Sequence, residues 1–232
     1  MKRLNIRLQP IMSLRTGQLY GYEVLSALPA EINIAKWFEQ YDSAELLRLR
    51  EWQLLTLARH NIIVKLFVNL TTAILASKEG VSTLLKKPLP GVIELQDPAA
   101  IARLDASELT LLAENIRQLQ HAGMEVWLDD YLSDFRFTLA ASALKFDGVK
   151  LDCKAFQQYR NDSAGLARII NEARRFGRLV LTEGVESPGD VRTAWLAGAD
   201  LAQGYYWSEK KIVPVLVTPH ADVCVSSHNG NF

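Results

Sequence analysis

The sequence predicts an α/β fold whose strands run mostly parallel and close into a (β/α)8-type barrel of the triosephosphate isomerase kind. Three observations carry this prediction. Short, nearly continuous apolar runs alternate with longer amphipathic runs along 232 residues, as expected of strands buried on both faces beneath helices. The length suits one barrel domain with a core that needs no covalent staples. Polar side chains close the apolar runs at the same end. In a barrel such residues converge on one mouth, whereas in an open doubly wound sheet, the competing closure, they spread along an edge.

RLNIRLQPIMS and GQLYGYEVLSA read as two strands joined by a turn at Arg15, Thr16 and Gly17. A helix is expected from Ala35 to His60, with acids early and Arg48, Arg50 and Arg59 late, as the helix dipole favours. IIVKLFVNL is a strand, and TTAILASKEGVSTLLKK is helical with a break at Gly80. PGVIEL is a strand. DASELTLLAENIRQLQHAG is a helix that Asp105 or Ser107 caps and Gly123 closes. MEVWLDD is a strand, SDFRFTLAASA a helix and FDGVKLD a strand. NDSAGLARIINEARRFG is a helix with cap candidates from Asn161 to Ser163 and Gly177 as terminator. RLVLTEG is a strand, SPGDVRTAWLAGA a helix with Pro188 in its first turn, and ADLAQGYYW a short strand. One domain is expected over residues 1–217 and a polar, loose tail over 218–232.

Composition narrows the function. Lys plus Arg and Asp plus Glu balance at 26 each, so no net field draws the chain to a nucleic acid polymer or a membrane surface. No apolar run is long and uncharged enough to span a bilayer. MKRLNIRLQP lacks the apolar stretch of a signal peptide, and the cytoplasm is the expected location. Cys153 and Cys224 fit no metal or redox spacing and read as reduced thiols.

The chemistry lies at the strand ends. Glu23, Asn69, Glu94, Asp129 with Asp130, Lys150, Glu183 and Gln203 end or nearly end successive strands, and Glu186 follows Glu183 closely. A lone polar residue there is ordinarily a cap or a solvated loop residue; one on each of seven strands is a set. Like-charged carboxylates about 4 Å apart repel by on the order of 4 kcal/mol at an effective dielectric near 20. A cation must offset that repulsion, or some of the acids must be protonated. None of His60, His121, His220 and His228 ends a strand. Oxygen donors without His or Cys suit Mg²⁺, Mn²⁺ or Ca²⁺ rather than zinc. The adjacent pair Asp129 and Asp130 suits one carboxylate bridging two cations, the arrangement used for phosphodiester cleavage.

These residues resemble the EAL domain family, the cyclic di-GMP phosphodiesterase domain of bacterial signalling. The likeness runs from QPI at Gln9 to QGYYWSEK ending at Lys210. QPI…GYEVL supplies Glu23, VNL supplies Asn69 and VIEL supplies Glu94. LDD supplies Asp129 and Asp130, FDGVKLD supplies Lys150 and Asp152, TEGVES supplies Glu183 and Glu186, and QGYYWS supplies Gln203. The resemblance implies a modified barrel with an antiparallel first strand and hydrolysis of cyclic di-GMP to linear pGpG with two Mg²⁺ or Mn²⁺ ions. It also implies a homodimer. Glu23, Asn69, Glu94 and Asp129 would hold one metal, with Asp129 bridging to a second near Asp130. Glu183 would act near the attacking water as general base, Lys150 would orient that water or stabilise charge on the phosphate, and Gln203 and Glu186 would complete the polar shell.

Three departures from the family pattern stand out. Ala27 occupies the place of a substrate-contacting arginine. The second acid of the LExTE pattern is shortened to Asp97 in ELQD. The glycine-rich loop DDFGTGYSS is replaced by DDYLSDFRF, with Leu132 and Asp134 at glycine positions, so the backbone is expected to resist the family's path there. Phe135 and Phe137 add apolar surface that a dimer or a protein partner would cover, or that packs on the barrel's own helices. The alternative reading is a catalytically weak or inactive protein that regulates by binding cyclic di-GMP or another protein.

Overall fold

A strand residue and the one two places on share a face, and that period builds this barrel. The computed structural model describes residues 5–28, 38, 40–89 and 91–213. Strands β1 (Asn5–Ser13), β2 (Leu19–Ala27), β3 (Lys65–Leu70), β4 (Val92–Leu95), β5 (Val126–Tyr131), β6 (Phe146–Leu151), β7 (Gly177–Thr182) and β8 (Leu201–Gln203) close the wall. From β2 to β8 each strand pairs in parallel with the next. β1 closes the ring antiparallel to both β2 and β8. Its early residues therefore stand where the other strands finish. A ninth strand, β9 (Lys210–Ile212), pairs antiparallel with Ile6 to Leu8 of β1, beside the short β8.

Helices cover the outside. They are α1 (Ser43–Arg59), α2 (Thr72–Leu75), α3 (Lys78–Lys86), α4 (Ala106–His121), α5 (Arg136–Ser142), α6 (Cys153–Tyr159), α7 (Ser163–Ala173) and α8 (Pro188–Leu196). Asp42 and Asp105 form reciprocal capping boxes with Glu45 and Glu108, fixing where α1 and α4 begin. No helix among the described residues is long and apolar enough to cross a membrane.

Two cores result from the alternation. Outward strand residues such as Leu8, Val24, Val68, Ile93, Leu128, Val149 and Val180 pack against Leu54, Leu57, Leu112, Ile116, Leu166 and Ile170 of the helices. Inward residues Ile11, Phe67, Val92, Trp127, Leu181 and Leu201 fill the barrel as a dry plug. The Phe67 and Trp127 rings meet edge to face with centroids 5.2 Å apart, a geometry aromatic quadrupoles favour. Two residues further along the strands, the same face turns polar. Phe67 gives way to Asn69, Val92 to Glu94, Trp127 to Asp129, Leu181 to Glu183 and Leu201 to Gln203. On β1, which runs the other way, Ile11 gives way to Gln9, the register partner of Glu23.

Several expectations need correction. The helical stretch after β3 breaks at Ser77, not Gly80, because the Ser77 hydroxyl accepts from Gly80 N at 2.9 Å and starts a new helix. Gly80 lies inside α3, where a Cβ would come within 2.4 Å of the Ile74 carbonyl. Gly177 does not terminate α7, which ends at Ala173; it opens β7. The short helix α6 and strand β9 were not foreseen. The expected start of the first helix at Ala35 lies outside the described residues, as do Cys224, His220, His228 and the tail.

Gly148 is where the plug tolerates no side chain: a Cβ there would lie 2.5 Å from the Trp127 indole. Gly148→Ala is expected to destabilise the fold by about 1–3 kcal/mol, the usual cost of overpacking, seen as a lower urea midpoint. A midpoint equal to the parent's would overturn this account of the plug.

Candidate active site

Strand alternation alone would send Asp129 into the barrel and Asp130 out of it. The β5–β6 register slips between Leu128 and Tyr131, and Asp130 takes a left-handed φ of 50°. Asp is one of the few residues that tolerates this conformation. The bulge re-aims Asp130, so that carboxylate oxygens of Asp129, Asp130 and Glu183 lie within 4.8 Å of one another. Oxygens of Glu23, Glu94 and Asp129 make a second such group. Asp129 belongs to both.

Lys150 stands among these acids. Its Nζ lies 3.2 Å from Glu23, 3.2 Å from Glu94, 3.0 Å from Asp129 and 2.8 Å from Glu183. The side chain is 1% exposed. Burial pushes the ammonium toward losing its proton, but Asp129, Glu183, Glu23 and Glu94 outweigh it and hold the group well above the usual lysine range. Amides complete the layer. Asn69 Nδ2 donates to Glu23 Oε1 at 2.8 Å and Gln203 Nε2 to Glu23 Oε2 at 2.6 Å. Burial raises Glu23, yet Lys150 and these two amides bring its carboxyl below the ordinary glutamate range.

The other acids shift upward. Glu94 is fully buried, and burial, against the pull of Lys150 and with Glu23 and Asp129 adding to it, holds its carboxyl well above normal. Burial also raises Asp129. Burial pushes Glu183 up to about 8, opposed by Lys150 and reinforced by Asp129 and Glu23. Burial and the neighbouring Asp129 push Asp130 up to about 6.

Several buried oxygens accept no hydrogen bond: Asn69 Oδ1, Gln203 Oε1 and both oxygens of Glu94, of which Oε1 keeps only its ion pair to Lys150. Buried acceptors are seldom left so. Beside Glu23 and Asp129 they form an oxygen-only donor set that fits a hard divalent cation.

Other predicted residues fall differently. Glu186 is exposed at the rim; its backbone N–H is held by Asp190 at 3.1 Å, and its charge acts on Cys153. Asp97 accepts from Thr72 N at 2.6 Å and from the Thr72 hydroxyl at 2.8 Å, so it secures the loop after β3. Leu132 has an ordinary extended φ of −122°, and Ser133–Phe135 form a single 3-10 turn. The rebuilt loop therefore carries no backbone strain at Leu132 or Asp134. Leu132 and Phe135 pack against the outer core, while Phe137 is 71% exposed.

Sequence reasoning missed Arg50 as a part of the site. It was read as a helix-dipole cation but is 4% exposed, with Nε donating to the Asn69 carbonyl at 2.9 Å and Nη1 to Gln53 Oε1 at 3.0 Å. Burial lowers its guanidinium to about 10, against the raising charges of Glu23 and Glu94. Its signal in the sequence is faint: one charge on the core-facing stripe of α1, between Leu47 and Leu54.

A (β/α)8 barrel whose first strand runs backwards and whose mouth gathers carboxylates, amides and one lysine is the class that fold and site define. The chain belongs to the EAL domain family, whose profile matches residues 1–210. Among curated relatives, the protein named "Uncharacterized protein y4lL" of Sinorhizobium fredii is 25% identical over 223 residues, covering 87% of this chain and 26% of that protein. The cyclic di-GMP phosphodiesterase PdeH of Escherichia coli K12 is 28% identical over 96 residues, 40% of this chain and 38% of PdeH. The chain thus spans well under half the length of either relative. Among solved structures, BlrP1 of Klebsiella pneumoniae in its calcium/cy-diGMP complex superposes with a TM-score of 0.73 at 18% identity, over 91% of this chain and 56% of that one. A standalone EAL protein of Vibrio cholerae O395 in its c-di-GMP-bound form gives 0.69 at 20% identity, over 91% and 93%. At these identities the structures show the shared fold.

The raised carboxyls would give metal binding at this mouth a pH dependence of definite sign. Glu183 and Asp130 must lose protons to act as ligands, so acid opposes binding. Mn²⁺ affinity is expected to rise from pH 6 to pH 9, with proton release on binding. Calorimetry in two buffers of different ionisation enthalpy reads both, and an affinity flat across that range would refute the assignment.

Proposed function

We propose that this chain hydrolyses cyclic di-GMP to linear pGpG in a divalent-metal-dependent reaction. The observation that carries the reading is the pairing of two overlapping oxygen clusters, joined through Asp129, with buried oxygens on Asn69, Glu94 and Gln203 that accept no hydrogen bond. Family membership and the likeness to PdeH support the same ligand. Glu23, Asn69, Glu94 and Asp129 are the residues suited to hold one Mg²⁺ or Mn²⁺, and Asp129, Asp130 and Glu183 a second. When bound, such ions supply a nucleophilic hydroxide near neutral pH and charge neutralisation for the phosphate.

The protein's own groups divide the remaining work. Glu183 sits at the open side of the cluster; in its deprotonated form it is placed to accept a proton from water. Lys150 stays protonated and offers fixed positive charge where negative charge develops on a phosphate oxygen. Water oxygen bonds to phosphorus as its proton passes to Glu183, one P–O bond of the ring breaks, and the departing ribose oxygen takes a proton from solvent. Arg50 acts through Asn69 as a positioning residue.

A second reading, a weak or inactive regulator, draws on Ala27 and on the rebuilt loop beside Asp130. Its unstrained backbone favours an adapted loop over a damaged one, which is why hydrolysis is the preferred reading.

Glu94→Gln keeps the shape of a fully buried side chain and removes the carboxylate that a cation would bind. It is expected to lower pGpG formation by roughly a hundredfold or more, the scale on which essential electrostatic groups act, with an unchanged thermal midpoint. Incubation with cyclic di-GMP and Mg²⁺ or Mn²⁺, followed by chromatography for pGpG, checks both parent and variant. No product from the parent, with binding retained, would select the regulator reading.

A further inference from the structure

A second polar layer stands one pleat above the acids, on the strand that runs the other way. Inward positions of β1 rise from Ile11 in the plug through Gln9, opposite Glu23, to Arg7, opposite Leu25. Arg7 therefore reaches the mouth above Glu23. It lines a cleft of about 1110 Å³ with Ser26, Asn69, Gln96 and Asp97. Arg50 also lines that cleft, but it is buried and directs its donors to Asn69 and Gln53.

On its other side Arg7 has Lys211 of β9 as its direct cross-strand partner. Direct partners share a face of the sheet, and like charges so placed are destabilising on their own. Glu209 offsets part of this. Its Oε1 accepts from Arg7 Nη2 at 3.1 Å, and its Oε2 lies 2.9 Å from Nε. The Arg7 side chain is still 38% exposed. Lys211 is exposed and has no ion pair among the described residues. Two cations thus face one carboxylate at the rim, directly above a layer built from acids. Only the Nη2 contact with Glu209 is a hydrogen bond; the buried Nε makes none, so Glu209 leaves part of the guanidinium fork, with which arginine takes phosphate, unfilled.

We propose that Arg7 and Lys211 form an anion subsite that receives a phosphate of the dinucleotide, and that Glu209 competes with that phosphate for the Arg7 guanidinium. The subsite rests on the cyclic di-GMP reading above. A ligand phosphate displaces Glu209 from the fork and lies between the two cations, while its neighbouring phosphate faces the acid layer. Binding strength at this rim is therefore set by a short strand near the end of the described chain.

The test is calorimetric titration of the full chain with cyclic di-GMP in Ca²⁺, at two salt concentrations. Parent, Arg7→Gln, Arg7→Lys, Lys211→Gln and Glu209→Gln are compared, each with its thermal midpoint. Arg7→Gln is expected to weaken binding about tenfold or more, and Lys211→Gln about threefold, both with a shallower salt dependence. Arg7→Lys should fall between parent and Arg7→Gln, since it keeps the charge and loses the fork. Glu209→Gln should tighten binding roughly threefold to tenfold by removing the competitor. This gain cannot come from damage to the fold, so it carries the test if Arg7→Gln melts early. Parent-like affinity in both cation variants, or weaker binding in Glu209→Gln, overturns the subsite and leaves the cyclic di-GMP reading standing. Failure of the parent to bind overturns that reading and the subsite together.

Discussion

The contact of one ammonium group with four carboxylates governs the mouth of this barrel. Lys150 comes from β6, and its partners come from β2, β4 and β5 and from the residue just after β7. At about 3 Å and an effective dielectric near 20, a contact with an ionised carboxylate is worth on the order of 5 kcal/mol before desolvation. Desolvation of buried ions consumes much of that, so the cluster is better read as a geometric constraint than as a source of stability. Removing the lysine would leave acids that repel each other in a dry setting. The ammonium has three protons for these four acids, and Glu94 accepts no hydrogen bond from it.

That constraint explains the layers beneath and around it. The plug of Phe67, Trp127, Val92, Leu181 and Leu201 excludes water from below, which strengthens every charge interaction above it. Gly148 makes room for the Trp127 ring and, one pleat later, the same strand delivers Lys150. The left-handed residue Asp130 costs on the order of 1 kcal/mol locally. In return a second carboxylate of β5 joins the mouth, which regular alternation forbids. Arg50 ties α1 to the Asn69 carbonyl and thereby links the helix layer to the ligand layer. From the rim inward, polarity runs from cations on β1 and β9 to acids on the parallel strands.

The rebuilt loop after β5 shows how a departure from a family pattern is read. Leucine and aspartate at glycine positions suggested a backbone forced off its path. The chain instead uses an extended Leu132 and one 3-10 turn, conformations open to any residue. Leu132 and Phe135 turn inward to the outer core, and Phe137 is left to solvent. Asp97 serves Thr72 at the neighbouring loop.

By itself, the sequence determined the strand and helix order, the barrel class and the identity of the polar residues that end the strands. These are local properties: a period of two, an apolar run and a polar terminus can be read without knowing what lies across the sheet. Glu23, Asn69, Glu94, Asp129, Lys150, Glu183 and Gln203 were legible for that reason. Only the tertiary structure decided which of them touch. It put Lys150 at the centre of the acids, turned Asp130 inward through a bulge, left Glu186 at the rim, buried Arg50 and brought Glu209 and Lys211 back beside Arg7. The physical reason is that these contacts join residues up to 204 positions apart, as Arg7 and Lys211 do. They exist only because closure of the barrel fixes the register of β1 against both β2 and the end of the described chain.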